Sequence, residues 1–229
     1  MAIMIGTCRE RFAYWENVDS VAQAQRCLAM HDISTGSLVG TPTYIHEGRQ
    51  RIVDMFMAVD DATHLCFVDS DNVLPAEALW ALLQRDLPIV GSLYFGRVNY
   101  PEVIAKDFVD DEWNSRTVSQ KVREMILEHN LPIASVPQCV ADAPLLKVDV
   151  VGFGCTMIKR AVLEDMINKY GKLFGGHGAN IGEDVSFCKL AKLSGYDVYL
   201  DLGVQLGHLK TYDVTVGDFM NIPEWVVED

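Results

Sequence analysis

Five consecutive residues, His64-Leu65-Cys66-Phe67-Val68, run directly into the polar tetrad Asp69-Ser70-Asp71-Asn72, and Pro75 follows three residues later. An apolar run of that length stopped by turn formers reads as a buried strand. A proline at the first turn then opens a helix, here through Leu83. Two carboxylates therefore sit at the carboxyl end of a buried strand. The same alternation recurs along the chain: Ala2 to Ile5 reads as a strand ending in Gly6-Thr7, and Asn17 to Met30 as a helix. A second helix spans about Gly48 to Val59, and Leu87 to Leu93 is a strand. Val148 to Ile158, with Gly152 and Gly154 inside it, reads as strand, kink, strand. Helices from Arg160 to Tyr170 and Glu183 to Leu193 and a strand from Tyr196 to Leu200 complete the series. This predicts an α/β protein with a mixed, mostly parallel sheet flanked by helices. In open sheets of this kind ligands lie beyond the carboxyl ends of the strands, so Gly6, Asp69 and the Gly152 kink are expected to face one cleft.

At 229 residues, 49% apolar and 22% charged, the chain is long enough for one well-cored domain. No apolar run approaches the roughly 18 residues that cross a bilayer, and the start is charged too early for a signal peptide. A cytoplasmic protein with no membrane partner is expected. The net charge of −13 disfavours nonspecific attraction to phosphate backbones. The six cysteines form no C-x-x-C pair and read as buried thiols in a reducing compartment.

Paired acids after a buried strand repel unless something positive neutralises them, and a hard divalent cation is the natural partner. The alternative is an acidic helix N-terminus, with Asp71 or Asn72 capping. A different chemistry also fits the string: Asp69-Ser70-Asp71-Asn72-Val73 resembles the D-x-D-x-V of haloacid dehalogenase phosphatases, with Asp69 as nucleophile. Their late acidic pair has no counterpart at Gly182-Glu183-Asp184-Val185-Ser186.

The order of features over nearly the whole chain resembles GT-A fold glycosyltransferases, family 2 and related bacterial and phage enzymes. Gly6-Thr7-Cys8-Arg9-Glu10 is similar to the family's P-T-Y-N-E turn, and Gly48-Arg49-Gln50-Arg51 to its A-R-N segment. Phe67-Val68-Asp69-Ser70-Asp71 resembles its D-x-D, Val151 to Arg160 its kinked strand beneath the acceptor, and Gly182-Glu183-Asp184 its E-D motif. Gly207-His208 resembles its late metal-binding histidine. The family's D-D-G-S at the end of the second strand has only His31-Asp32-Ile33-Ser34-Thr35-Gly36 as a counterpart, which leaves the donor base open.

The resemblance implies a hexosyltransferase that moves a sugar from a UDP- or GDP-sugar to an unidentified acceptor hydroxyl, with Mn²⁺ or Mg²⁺ as cofactor. Thr7, Glu10, Arg49, Asp69, Ser70 and Asp71 would bind the donor, and Asp69, Asp71 and His208 the metal. Asp184 would be the base of an inverting transfer, with Glu183 orienting the acceptor. Residues 1–209 would form the catalytic domain and residues 210–229 a tail packing on or near the active site. Phage-type relatives admit modified DNA as an acceptor, against the acidic charge. A module that binds nucleotide sugars without catalysis is the remaining alternative. His177 in its glycine-rich loop would suit a lid, and Trp113 either anchors a loop or stacks on a sugar.

Overall fold

The structure, a computed structural model, describes residues 1–8, 14–41, 44–96, 101–110, 113–174, 182–209, 216 and 220. In chain order the first half holds β1 (Ala2–Cys8), α1 (Trp15–Met30), β2 (Ser34–Gly40), α2 (Ile45–Met57), β3 (Ala62–Val68), β4 (Asn72–Val73), α3 (Ala78–Gln84) and β5 (Ile89–Leu93). A middle segment follows with β6 (Ala105–Phe108), β7 (Ser115–Thr117), α4 (Ser119–Glu128), β8 (Gln138–Cys139) and β9 (Leu145–Val148). The remainder is β10 (Val150–Val151), β11 (Cys155–Lys159), α5 (Arg160–Tyr170), α6 (Glu183–Leu193), β12 (Val198–Gln205) and β13 (Gly207–His208).

The main sheet has the order β2-β1-β3-β11-β5-β12-β8, with β9 also pairing with β12. β2, β1 and β3 are mutually parallel, as are β5 and β12, whereas β11 lies antiparallel between β3 and β5. The mostly parallel α/β sheet expected from the sequence is the one observed. Apolar packing occupies both faces. Ile3, Ile5, Cys66 and Val68 meet α1 and α3 through Leu28, Leu79 and Leu82. Leu65 and Phe67 point the other way, into a cluster with Ile52 and Phe56 of α2, Leu163 of α5 and Phe187 of α6. Successive residues of β3 thus bury against opposite layers, which is why this strand carries no polar alternation.

Two small structures sit at the carboxyl-end rim. One is a three-stranded sheet, β10-β6-β7; the other is the ribbon β4–β13, which pairs His208 with Asn72. Several boundaries differ from the sequence expectation. The helix after Pro75 starts only at Ala78, because residues 75–77 form a turn closed by the Ala78 N–H on the Pro75 carbonyl. The last long strand runs to Gln205 rather than Leu200. His31 to Gly36 is the turn into β2 and its first half, so the comparison with D-D-G-S at a strand end does not hold. Cys8 and Cys139 are half-buried, while Cys27, Cys66, Cys155 and Cys188 are the buried thiols expected.

Candidate active site

The Asp69–Asn72 turn is held from three directions. The Asn72 N–H closes it on the Asp69 carbonyl at 3.2 Å, and the Asp69 N–H donates to the carbonyl of Gly154 at 3.1 Å. Asn17, buried in the first turns of α1, donates its side-chain amide to the carbonyls of Asp69 (3.0 Å) and Asn72 (2.7 Å). From below, the β4–β13 ribbon and the Leu209 N–H on the Asp71 carbonyl (2.7 Å) bring the late histidine alongside. The backbone of the turn is therefore fixed before any ligand arrives, and its carboxylates project from a rigid base.

Arg49 dominates one side. Only 2% exposed, it pairs with Asp69 (2.9 Å) and with Glu183, and its guanidinium carbon stands 4.9 Å from the centre of the Phe153 ring. Burial alone would lower its pKa, but Asp69 and Glu183 outweigh that and raise it, so it stays charged. Asp69 is pushed the opposite way. Desolvation raises its carboxyl above the usual range, and Arg49 opposes the rise. The same guanidinium contacts both oxygens of Asp69, at 2.9 and 3.2 Å.

Asp71 and His208 form the other side. His208 Nδ1 lies 2.7 Å from the Phe95 carbonyl, which can only accept, so Nδ1 carries the proton. Nε2, the other ring nitrogen, then presents its lone pair 3.5 Å from Asp71 Oδ2. A carboxylate oxygen and an imidazole nitrogen, two ligand types that divalent cations take, thus stand side by side. Among the described residues no three His, Cys, Asp or Glu side chains converge on one point. The pair Asp71 and His208 nevertheless fits a hard cation of the Mg²⁺ or Mn²⁺ type, which takes few protein ligands and fills its shell with water and substrate phosphate.

Tyr94, at the end of β5, supports this side and was not singled out from the sequence. Its hydroxyl accepts the Gly154 N–H at 3.1 Å and its ring meets His208 edge-on at 5.6 Å. A Cβ at Gly152 would stand 2.1 Å from the Tyr94 hydroxyl, and one at Gly154 would stand 2.6 Å from its ring and 2.8 Å from the Asn72 amide. The glycines of the kink exist to let Tyr94 through. Burial pushes the phenol well above its ordinary pKa, and the charges of Asp69 and Asp184 add to this, so it acts as a neutral wedge.

The remaining candidates distribute as follows. Thr7 is buried near the end of β1, and the neighbouring Cys8 thiol is raised to about 11 by burial and by Asp69 and Glu183, against the pull of Arg49. β1 therefore ends within electrostatic reach of the cluster. Ser70 is half-buried in the turn. Glu183 and Asp184 open α6; Glu183 is committed to Arg49, while Asp184 Oδ1 accepts the Val185 N–H at 2.7 Å. Arg51 points away, toward the Thr41 carbonyl at 3.4 Å. Trp113 packs edge-on against Phe108 beneath Lys189, as a loop anchor. Glu10, His177 and the tail, apart from Val216 and Met220, lie outside the described residues. Asn17 is a second contributor with no signal in the sequence beyond a polar residue in the first turn of a helix; its burial belongs to the fold.

A mostly parallel sheet with antiparallel β11 set beside the strand that leads into Asp69-Ser70-Asp71, antiparallel β8 and β9 at its far edge, helices on both faces and a late strand returning to that turn is GT-A architecture. The A197 protein from STIV is similar over 92% of this chain and 86% of its own, with a TM-score of 0.55 at 18% identity. The chain has a GT-A fold. Weaker likenesses include Drosophila β1,4-galactosyltransferase 7 in complex with manganese, UDP-Gal and xylobiose (TM-score 0.46, 13% identity, 92% of this chain and 71% of that one). Another is S. aureus TarS 1-349 (TM-score 0.46, 13% identity, 88% of this chain and 60% of that one). No protein-family model and no curated protein sequence matches the chain.

Proposed function

We propose that this GT-A protein is a metal-dependent glycosyltransferase that moves a sugar from a UDP- or GDP-sugar to an acceptor hydroxyl. The observation that carries the reading is the juxtaposition of Asp71 Oδ2 and His208 Nε2, 3.5 Å apart just past the carboxyl end of β3. Asp71 and His208 would hold Mn²⁺ or Mg²⁺, with Asp69 reaching the ion through water or the donor ribose. When bound, the cation supplies charge neutralisation for the diphosphate leaving group. Thr7 and Arg49 line the nucleoside side, and Glu10 belongs to the same turn in sequence.

Arg49 does two things in this scheme. It opposes the desolvation that raises the Asp69 carboxyl above its usual range, and it ties the metal turn to Glu183, so donor and acceptor sides keep one spacing. The proton of the acceptor hydroxyl goes to Asp184. Glu183 is engaged by Arg49, whereas Asp184 has Oδ1 on the Val185 N–H and Oδ2 left to take a proton. In an inverting displacement Asp184 would take that proton on the face opposite the leaving group.

The test is release of nucleoside diphosphate from UDP- and GDP-sugars with Mn²⁺ and with EDTA. Release that requires metal supports the reading. Absence of release from every donor, combined with phosphate release from p-nitrophenyl phosphate, would replace it with the phosphatase chemistry of Asp69.

A further inference from the structure

Asp71 and His208 come from separate segments, the turn after β3 and the short strand β13. The joint between those segments is slight. β4 and β13 have two residues each and pair His208 with Asn72 and Gly207 with Val73. A ribbon of that length has no stability of its own. The Leu209 N–H on the Asp71 carbonyl, at 2.7 Å, draws the segments together, but neither contact fixes the shape of the turn from which the Asp71 side chain emerges.

We infer that Asn17, on α1, is the positioning residue that sets this turn and with it the affinity for the cation, an inference that rests on the metal-dependent reading above. Its side-chain amide is a clamp with two arms. One hydrogen goes to the Asp69 carbonyl at 3.0 Å and the other to the Asn72 carbonyl at 2.7 Å. The first holds the residue where the acidic turn leaves β3. The second holds the residue that pairs with His208, and Asp71 lies between the two.

Asn17 is 1% exposed, so it touches neither cation nor substrate and acts through the backbone it grips. Its own place is secured in the first turn of α1, where its carbonyl accepts the Ser20 hydroxyl at 2.9 Å. The direction of the His208 ring does not depend on it, since the Phe95 carbonyl and the Tyr94 ring hold that. Asn72 is fully buried, and its Oδ1 has no hydrogen-bond partner among the described residues. That burial is costly, and the Asn17 bond to the Asn72 carbonyl helps to hold the residue there.

The residue type matters. The clamp needs two donors and no charge in a short side chain; aspartate has no donor when ionised and serine has one. The cation matters too. Mg²⁺ demands near-ideal octahedral geometry from few protein ligands, so a turn free to open misplaces the Asp71 carboxylate and weakens binding.

Calorimetric titration of Mn²⁺ and Mg²⁺ into the full chain with UDP or GDP present tests this. It compares the parent with Asn17→Ala, Asn17→Ser and Ser20→Ala, below the melting transition of each. Asn17→Ala is expected to lose about 10- to 100-fold in cation affinity, the usual effect of removing a group that orients metal ligands. Asn17→Ser keeps one donor; it should lose less, and it carries the test if Asn17→Ala does not fold. Ser20→Ala breaks a buried bond within α1 and leaves both arms of the clamp in place, so it should lower the melting temperature and keep the parent's cation affinity. Melting curves without metal separate stability from affinity. Lower melting temperatures in the Asn17 variants with unchanged cation affinity would overturn the inference, as would a loss of affinity in Ser20→Ala equal to that in Asn17→Ser. A parent that binds neither cation with either nucleotide is a different failure: the metal-dependent reading falls, and the inference with it.

Discussion

Replacing Arg49 by methionine keeps most of the side-chain length and its packing on Phe153 while removing the charge between Asp69 and Glu183. Asp69 and Glu183 are 25% and 19% exposed, so each carboxylate is left mostly desolvated with no counter-ion. Breaking a buried pair by deleting one partner costs about 3–5 kcal/mol, and the residual exposure places this case near the lower end, ~3 kcal/mol. In a domain of this size that corresponds to a fall in melting temperature of about 6–12 °C. The pH dependence gives the stricter check. Asp69 already has a raised carboxyl pKa in the folded protein, and Arg49 is the opposing influence, so the variant raises it further. A folded carboxyl pKa above the unfolded one penalises the folded state where the group is charged, and the penalty disappears as pH falls through the folded value. Denaturant melts of parent and variant at pH 7 and pH 4.5 should therefore show a deficit at pH 7 that shrinks by more than half in acid. Asp69→Asn on the Arg49→Met background should restore part of the stability at pH 7. A deficit below ~1 kcal/mol, the size of an exposed pair, or one that is unchanged between the two pH values, would refute the reasoning.

Gly154→Ala should destabilise by about 1–3 kcal/mol, the usual cost of forcing a methyl into a filled site, because its Cβ meets both Tyr94 and the Asn72 amide; thermal melts check this, and a neutral result would mean Tyr94 can move aside. Cys8, with its thiol near 11, should react slowly with iodoacetamide at pH 8 and accelerate steeply only toward pH 11, since the thiolate is the reactive form. Peptide mapping after timed alkylation reads this, and rapid labelling at pH 8 would contradict it. Asp184→Asn should retain donor binding and lose transfer by about 10²- to 10⁴-fold, the contribution of a positioned base; turnover within a few-fold of the parent would reduce Asp184 to a favourable helix start.

The elements legible in the sequence were those buried on both sides or capped by clear signals. β3 read as an unbroken apolar run because Leu65 and Phe67 pack on one layer and Cys66 and Val68 on the other. The starts of α5 and α6 matched to the residue. β2 did not show itself, since Ser34–Gly40 is an edge strand with one neighbour and only Gly40 fully buried, so its composition is that of a turn. The middle segment from β6 to β9 gave no reading for a similar reason: its strands are two to four residues long, and half-exposed positions carry little period-two contrast. At the site, the acids and the late histidine were visible as residue types, but their meeting depends on the β4–β13 ribbon, two residues on each side. Arg49 read as a donor contact from its resemblance; its grip on Asp69 and Glu183 spans 20 and 134 residues of sequence and has no local signature. Tyr94 left an indirect trace, the two glycines that make room for it.

The central claim is that Asp71 and His208 hold a divalent cation that binds the donor's diphosphate. Calorimetric titration of UDP and GDP into the full chain with Mn²⁺ and with EDTA, repeated for Asp71→Ala and His208→Ala, tests it most directly. The account predicts binding of at least one nucleotide that requires Mn²⁺ and a larger loss in Asp71→Ala than in His208→Ala, because the anionic ligand contributes more to holding the cation. Equal nucleotide affinity in Mn²⁺ and EDTA, or metal-dependent binding that survives both substitutions, would contradict it.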